Sequence, residues 1–226
     1  MLEFAFPMFN RIIASPILVR IIPFAVFAAL TLLQGRFFDT SQYWVYALKT
    51  VLGAWMLWII RSHVKEMRWS FSWEALLVGI VVFLAWVGLD GYYPLIAERE
   101  AAFNPDRSYG AGSALAMLFI AVRMIGSSLV VPPLEEVFYR SFLYRYLVKA
   151  DFLKIPLRQL EWRAFIIAGL VFGISHYEWL PGILCGFAYQ GLVCRKGRLG
   201  DAITAHAITN LLLALWVVIR QAYHFW

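Results

Sequence analysis

The stretch Pro132-Pro133-Leu134-Glu135-Glu136-Val137-Phe138-Tyr139-Arg140 stands where the apolar run 112–131 meets the run 134–148, and it sets two adjacent carboxylates and an arginine in strongly apolar sequence. Prolines suit the first turn of a helix, because the N–H they lack would have no intrahelical partner there. Acidic side chains are favoured in the same turn by the positive end of the helix dipole. The stretch is therefore expected to begin a fifth span, with Glu135 and Glu136 at its head. Adjacent helical residues point about 100° apart, and Glu136 precedes Arg140 by four residues, the spacing of a helical ion pair. That pairing neutralises Glu136 and leaves Glu135 free to face elsewhere.

Outward from this stretch the chain stays apolar. Of 226 residues, 62% are hydrophobic and 15% charged, with a mean hydropathy of +0.70, against roughly 25% charged in soluble domains. This excludes a water-soluble globule. Apolar runs fall at 16–33, 43–60, 73–95, 112–131, 134–148, 164–175, 180–194 and 202–219. Spans of ~20 residues fill the length and leave no room for a soluble domain. The expected fold is all-α, a polytopic integral membrane protein of about eight transmembrane helices forming one membrane domain. The two-residue alternation of a membrane barrel strand is missing, and no internal repeat is visible. The fifth to seventh runs are shorter than a span needs, so their helices borrow polar neighbours that must face other helices or a cavity.

The net charge of +6 places Lys and Arg mostly between apolar runs, where they orient a membrane protein and do not argue for nucleic acid. The connection 90–107 is acidic on balance, whereas 149–163 and 195–198 are basic. With eight spans and the N-terminus inside, both basic stretches fall outside, while Arg61, Lys65 and Arg68 fall inside; the two halves conflict. The first run has no small-residue cleavage site behind it and reads as a retained span. Cys185 and Cys194, nine residues apart on one helix, would lie about 13 Å apart, too far for a disulfide.

Three polar features cluster in the C-terminal half. Besides Glu135-Glu136, His176 closes the segment Phe172-Gly173-Ile174-Ser175-His176, and His206 and Asn210 share one face of the eighth run. An unpaired polar side chain in hydrocarbon costs several kcal/mol, so two on one face imply a shared partner or a wet cavity. Simple charge complementarity, capping and helix-to-helix hydrogen bonding are the structural alternatives. A carboxylate, two histidines and an asparagine are also sufficient to hydrolyse a peptide bond through activated water, without a covalent nucleophile.

These residues resemble the membrane-bound CAAX protease and bacteriocin-processing (CPBP or Abi) family. Its pattern is a double glutamate with an arginine four residues after the second, then Phe-x-x-x-His, then His-x-x-x-Asn, matched in order by Glu135-Glu136 with Arg140, Phe172 with His176, and His206 with Asn210. The resemblance covers about 129–216, so 111–226 is expected to be the protease-like core and 1–110 to hold N-terminal helices without a family motif. It implies a conical intramembrane cavity in the cell membrane, with Glu135 as general base assisted by His176, and with His206 and Asn210 as the oxyanion site. Glu136 and Arg140 become a supporting pair. The implied substrate is a membrane-associated protein or peptide, possibly lipidated, and no cofactor is implied.

The alternatives left open are a zinc peptidase with Glu135, His176 and His206 as ligands, although no His-Glu-x-x-His helix is present, and a non-catalytic sorting, immunity or transport protein, for which intramembrane Lys49 and Arg123 would suit a translocation path. Rhomboid-like serine and paired-aspartate intramembrane proteases lack their required sequence settings here.

Overall fold

A computed structural model describes residues 7–95 and 103–226. The protein is all-helical, 74% helix, and no strand occurs among the described residues. A short helix α1 (Pro7–Ala14) precedes α2 (Leu18–Thr31), α3 (Ser41–Ile60), α4 (Trp73–Gly88) and the short α5 (Pro105–Tyr109). Then follow α6 (Ala114–Val148), α7 (Trp162–Ile174), α8 (Trp179–Lys196) and α9 (Gly200–Arg220). Three of these, α3, α6 and α9, are long and apolar enough to cross a membrane; α2, α4 and α7 are shorter apolar helices. Local signals match the boundaries: Ser72 and Ser113 each accept a backbone N–H at a helix start, and Gly197 ends α8 with φ +69°, a left-handed conformation that favours glycine.

The expected helix start at Pro132 is not there. Runs 112–131 and 134–148 form one helix, α6, of 35 residues, about 52 Å at 1.5 Å per residue. Two prolines delete two N–H donors, and the ladder absorbs the loss by widening into π-helical turns on either side, at Gly126–Val130 and Val137–Leu143. Such widened turns recur at functional sites. Glu135 and Glu136 consequently lie in mid-helix, where no helix N-terminus stabilises them and side-chain partners must.

This merger also removes the charge conflict. Two helices, α4 and α6, now separate the connection 61–72 from the connection 149–161, so both emerge at the same end of the bundle, together with 197–199. Arg61, Lys65, Arg68, Lys149, Lys154, Arg158 and Arg198 therefore share one end. Of the acidic connection 90–107, residues 96–102 lie outside the described residues, as do residues 1–6, on which the leader question partly rests.

Each end is locked by polar contacts. At the basic end, Glu66 Oε1 accepts from Arg20 Nη2 at 2.7 Å, Arg145 Nη2 at 2.9 Å and Ser141 Oγ at 2.6 Å. Burial pushes the Glu66 carboxyl up, but the Ser141 hydroxyl and the Arg20 guanidinium outweigh it and hold it below the usual carboxylate range. At the opposite end, Tyr43 donates to the Asn104 carbonyl at 2.8 Å and Tyr223 to Asp106 at 2.5 Å.

Helices α7 and α8 pack through glycines at four-residue spacing. A Cβ on Gly173 would lie 2.2 Å from Ile183 Cγ1 and 2.6 Å from Ile183 N, and one on Gly186 would lie 2.9 Å from the Gly169 carbonyl oxygen. Where lipid offers no hydrophobic drive between helices, such close backbone approach supplies van der Waals contact. It fixes the short turn that carries His176.

Candidate active site

Glu135 and Glu136 face different surroundings, as their roughly 100° offset requires. Glu136 is fully buried, and its Oε1 lies 3.2 Å from Arg140 Nη1 and 2.9 Å from His206 Nδ1. Glu135 keeps 17% of its side chain exposed, and its Oε2 has no hydrogen-bond partner among the described residues. The expected division between a paired and an available carboxylate is thus seen. The contact between His206 and Glu136 was not read from the sequence, because it joins residues seventy positions apart on two helices.

The tautomers follow from the partners. An ionised carboxylate only accepts, so His206 Nδ1 carries the hydrogen in its bond to Glu136. His206 Nε2 then points to the other carboxylate, 4.0 Å from Glu135 Oε2. One water oxygen about 2.8 Å from each, an ordinary hydrogen-bond length, fits that span. The His206 ring is set by Tyr189, whose ring lies 5.0 Å away and whose hydroxyl donates to Thr209 Oγ1 at 2.7 Å.

Asn210 lies one turn further along α9, as the spacing requires. Its Nδ2 donates to the Ser127 carbonyl at 2.8 Å, inside the first widened turn of α6. One Nδ2 hydrogen remains for another acceptor. The widened turn thus supplies the anchor for a residue on a different helix.

His176 is placed less directly. Its Nδ1 lies 2.8 Å from the Phe172 carbonyl, so this nitrogen donates and Nε2 is left as an acceptor in the neutral ring. No hydrogen bond or ion pair joins His176 to Glu135 or His206 among the described residues. Phe172 stands between them: its ring is 4.9 Å from the His176 ring, 6.1 Å from the His206 ring and 4.2 Å from the Arg140 guanidinium carbon. Phe172 therefore sets the spacing of the site, beyond its part in the Phe-x-x-x-His pattern.

Tyr139 is a residue the sequence reading passed over. It is four residues after Glu135 on the same helix face, and its hydroxyl donates to Ser175 Oγ at 3.2 Å, while Ser175 Oγ donates to the Phe172 carbonyl at 2.7 Å. This chain ties the turn of His176 to the helix of Glu135. The i, i+4 relation to Glu135 was the available signal.

No group of three or more His, Cys, Asp or Glu side chains placed to hold a metal occurs among the described residues. Two cavities are lined in part by residues close in sequence to the site. An apolar groove of about 530 Å³ between α3 and α6 runs from Arg61 and Arg68 to Pro133, two residues before Glu135. A second cavity of about 500 Å³ includes Tyr177, the neighbour of His176, together with Lys49 and Arg123.

No curated protein and no solved structure matches the chain. Residues 115–212 match the family model described as type II CAAX prenyl endopeptidase Rce1-like, a stretch that takes in all seven residues of the three motifs. The buried Glu136 hub and the available Glu135 thus lie within the stretch that is similar to the Rce1-like model, a match consistent with the CPBP family, whose members are membrane-embedded proteases.

Proposed function

We propose that the protein is a multi-pass intramembrane endopeptidase of the cell membrane, with the CPBP fold and its conical cavity, hydrolysing a peptide bond in a membrane-associated protein or peptide. The observation that carries this reading is the unpartnered Glu135 Oε2 facing His206 Nε2 across 4.0 Å. Glu135 takes a proton from a water that attacks the scissile carbonyl. Imidazolium at His206, supported by Glu136 on Nδ1, donates from Nε2 to the oxyanion, and the second Nδ2 hydrogen of Asn210 donates beside it. His176 assists through its free Nε2, carrying a proton to the leaving amine. Glu136 and Arg140 hold the donors in place without touching substrate. The apolar groove ending at Pro133 suits a lipidated chain, and the arrangement requires no metal.

The gathering of basic connections at one end supports an orientation with that end in the cytoplasm, which puts the turn of His176 toward the opposite face. Turnover of prenylated and unmodified peptides in detergent, by wild type and by Glu135→Gln, tests the catalytic reading. Cleavage by wild type and a loss of at least about 10²-fold in the variant are expected for removal of a general base. Equal turnover by the two proteins, or retention of the biological phenotype by Glu135→Gln, refutes it and favours a binding protein.

A further inference from the structure

The second cavity holds cations that the proposed chemistry does not use. Lys49, 3% exposed, donates from Nζ to Thr31 Oγ1 at 2.8 Å and Gln34 Oε1 at 2.5 Å, and lies over the rings of Phe27 and Tyr46. Arg123 stacks on Tyr46 at 4.4 Å and Phe103 at 4.9 Å, and its buried Nε has no hydrogen-bond partner among the described residues. Arg36 stands at the same cavity. Among the described residues no carboxylate comes within ion-pair distance of Lys49, Arg123 or Arg36. Glu178, which also lines the cavity, is already engaged.

Two cations in a membrane interior with no carboxylate at ion-pair distance among the described residues are costly, and their aromatic cover compensates only in part. The cavity adjoins the proposed proteolytic site through Tyr177, which lines it and is the neighbour of His176. From this juxtaposition we infer that the cavity is an anion-binding subsite for a carboxylate of the peptide substrate, held between Lys49 and Arg123 while the scissile bond lies at Glu135. Lys49 lies eight residues inside α3 and Arg123 nine inside α6, about 12 and 14 Å along those helices at 1.5 Å per residue. The inference rests on the endopeptidase reading for the identity of the ligand.

The carboxylate can come from the peptide C-terminus or from an acidic side chain, so the test uses two peptide pairs: terminal acid against terminal amide, and Asp against Asn within the segment after the scissile bond. Binding of fluorescent peptides is measured by anisotropy in detergent, with Glu135→Gln protein to prevent cleavage. At least one anionic member is expected to bind about tenfold or more tightly, the scale of a charge-assisted hydrogen bond; the pair showing the preference identifies the source. Adding Lys49→Gln or Arg123→Gln should bring that ratio close to one, whereas Lys49→Arg should keep most of it, with monodispersity of each variant checked by size exclusion. No preference in either pair, a preference indifferent to both substitutions, or displacement of the peptide by phosphatidylglycerol but not by phosphatidylcholine overturns the inference. Charge-dependent binding together with absent cleavage by wild type would overturn the endopeptidase reading alone.

Discussion

Gly173 offers a test of how α7 and α8 place the site. In Gly173→Ala the new Cβ meets Ile183 Cγ1 at 2.2 Å, Ile183 N at 2.6 Å and Ile183 Cα at 2.9 Å. Nonbonded carbon contacts rest at about 3.5–4.0 Å. Two of the three colliding atoms are backbone, so rotation of a side chain does not relieve the overlap and α8 must retreat by about an ångström. Overpacking of this kind costs about 1–3 kcal/mol, offset by the up to ~1 kcal/mol that alanine gains over glycine in a helix. A net loss of about 1–2 kcal/mol is expected. The functional loss should be larger: His176 is three residues on and bonded to Phe172 O, and a displacement of about 1 Å at a reacting group can cost about 10²-fold. Gly191→Ala is the control, since its Cβ would meet nothing within 4 Å; it should be neutral or slightly stabilising. Thermal unfolding in detergent and peptide turnover are read on the same preparations. If Gly173→Ala matches Gly191→Ala in both, close glycine packing does not position His176.

Arg140→Ala leaves Glu136 buried with His206 as its remaining side-chain partner among the described residues, and loss of a buried pair costs about 3–5 kcal/mol; folding yield should fall, and a fully stable but inactive variant would move Arg140 into the substrate-binding set. Asn210→Ala should lose about 10²–10³ in turnover, the usual cost of one oxyanion donor, with little change in affinity, and full activity would remove its assigned role; measured alongside, stoichiometric metal lost only in His206→Ala would establish the zinc reading instead. Glu66 titrates below its ordinary value of 4.5, so its contribution is complete above that value and disappears as pH falls through the lower folded value. The stability difference between wild type and Glu66→Gln, followed by unfolding in detergent from pH 7 to pH 3, should therefore shrink in the acid range, and a constant difference would contradict a stabilising role for the contacts of Glu66 with Arg20, Arg145 and Ser141.

The sequence by itself determined the helical class and the membrane setting, because span length and hydropathy are properties of a single segment and need no partner. It also determined the Glu136–Arg140 pair and the shared face of His206 and Asn210, since helical spacing alone fixes them. Whether Pro132 begins a helix or lies within one was beyond it: proline chemistry permits both, and the choice rests on whether surrounding helices support two widened turns. That one decision moved the basic connections to a common end and took Glu135 from a helix head to mid-helix. Tertiary structure alone brought His206 to Glu136, Asn210 to the Ser127 carbonyl and Phe172 between the two histidines. The glycine pairs of α7 and α8 were visible as letters, but their meaning depends on the neighbour that a Cβ would strike. Contacts between distant helices depend on how the whole bundle closes, and no local period encodes that.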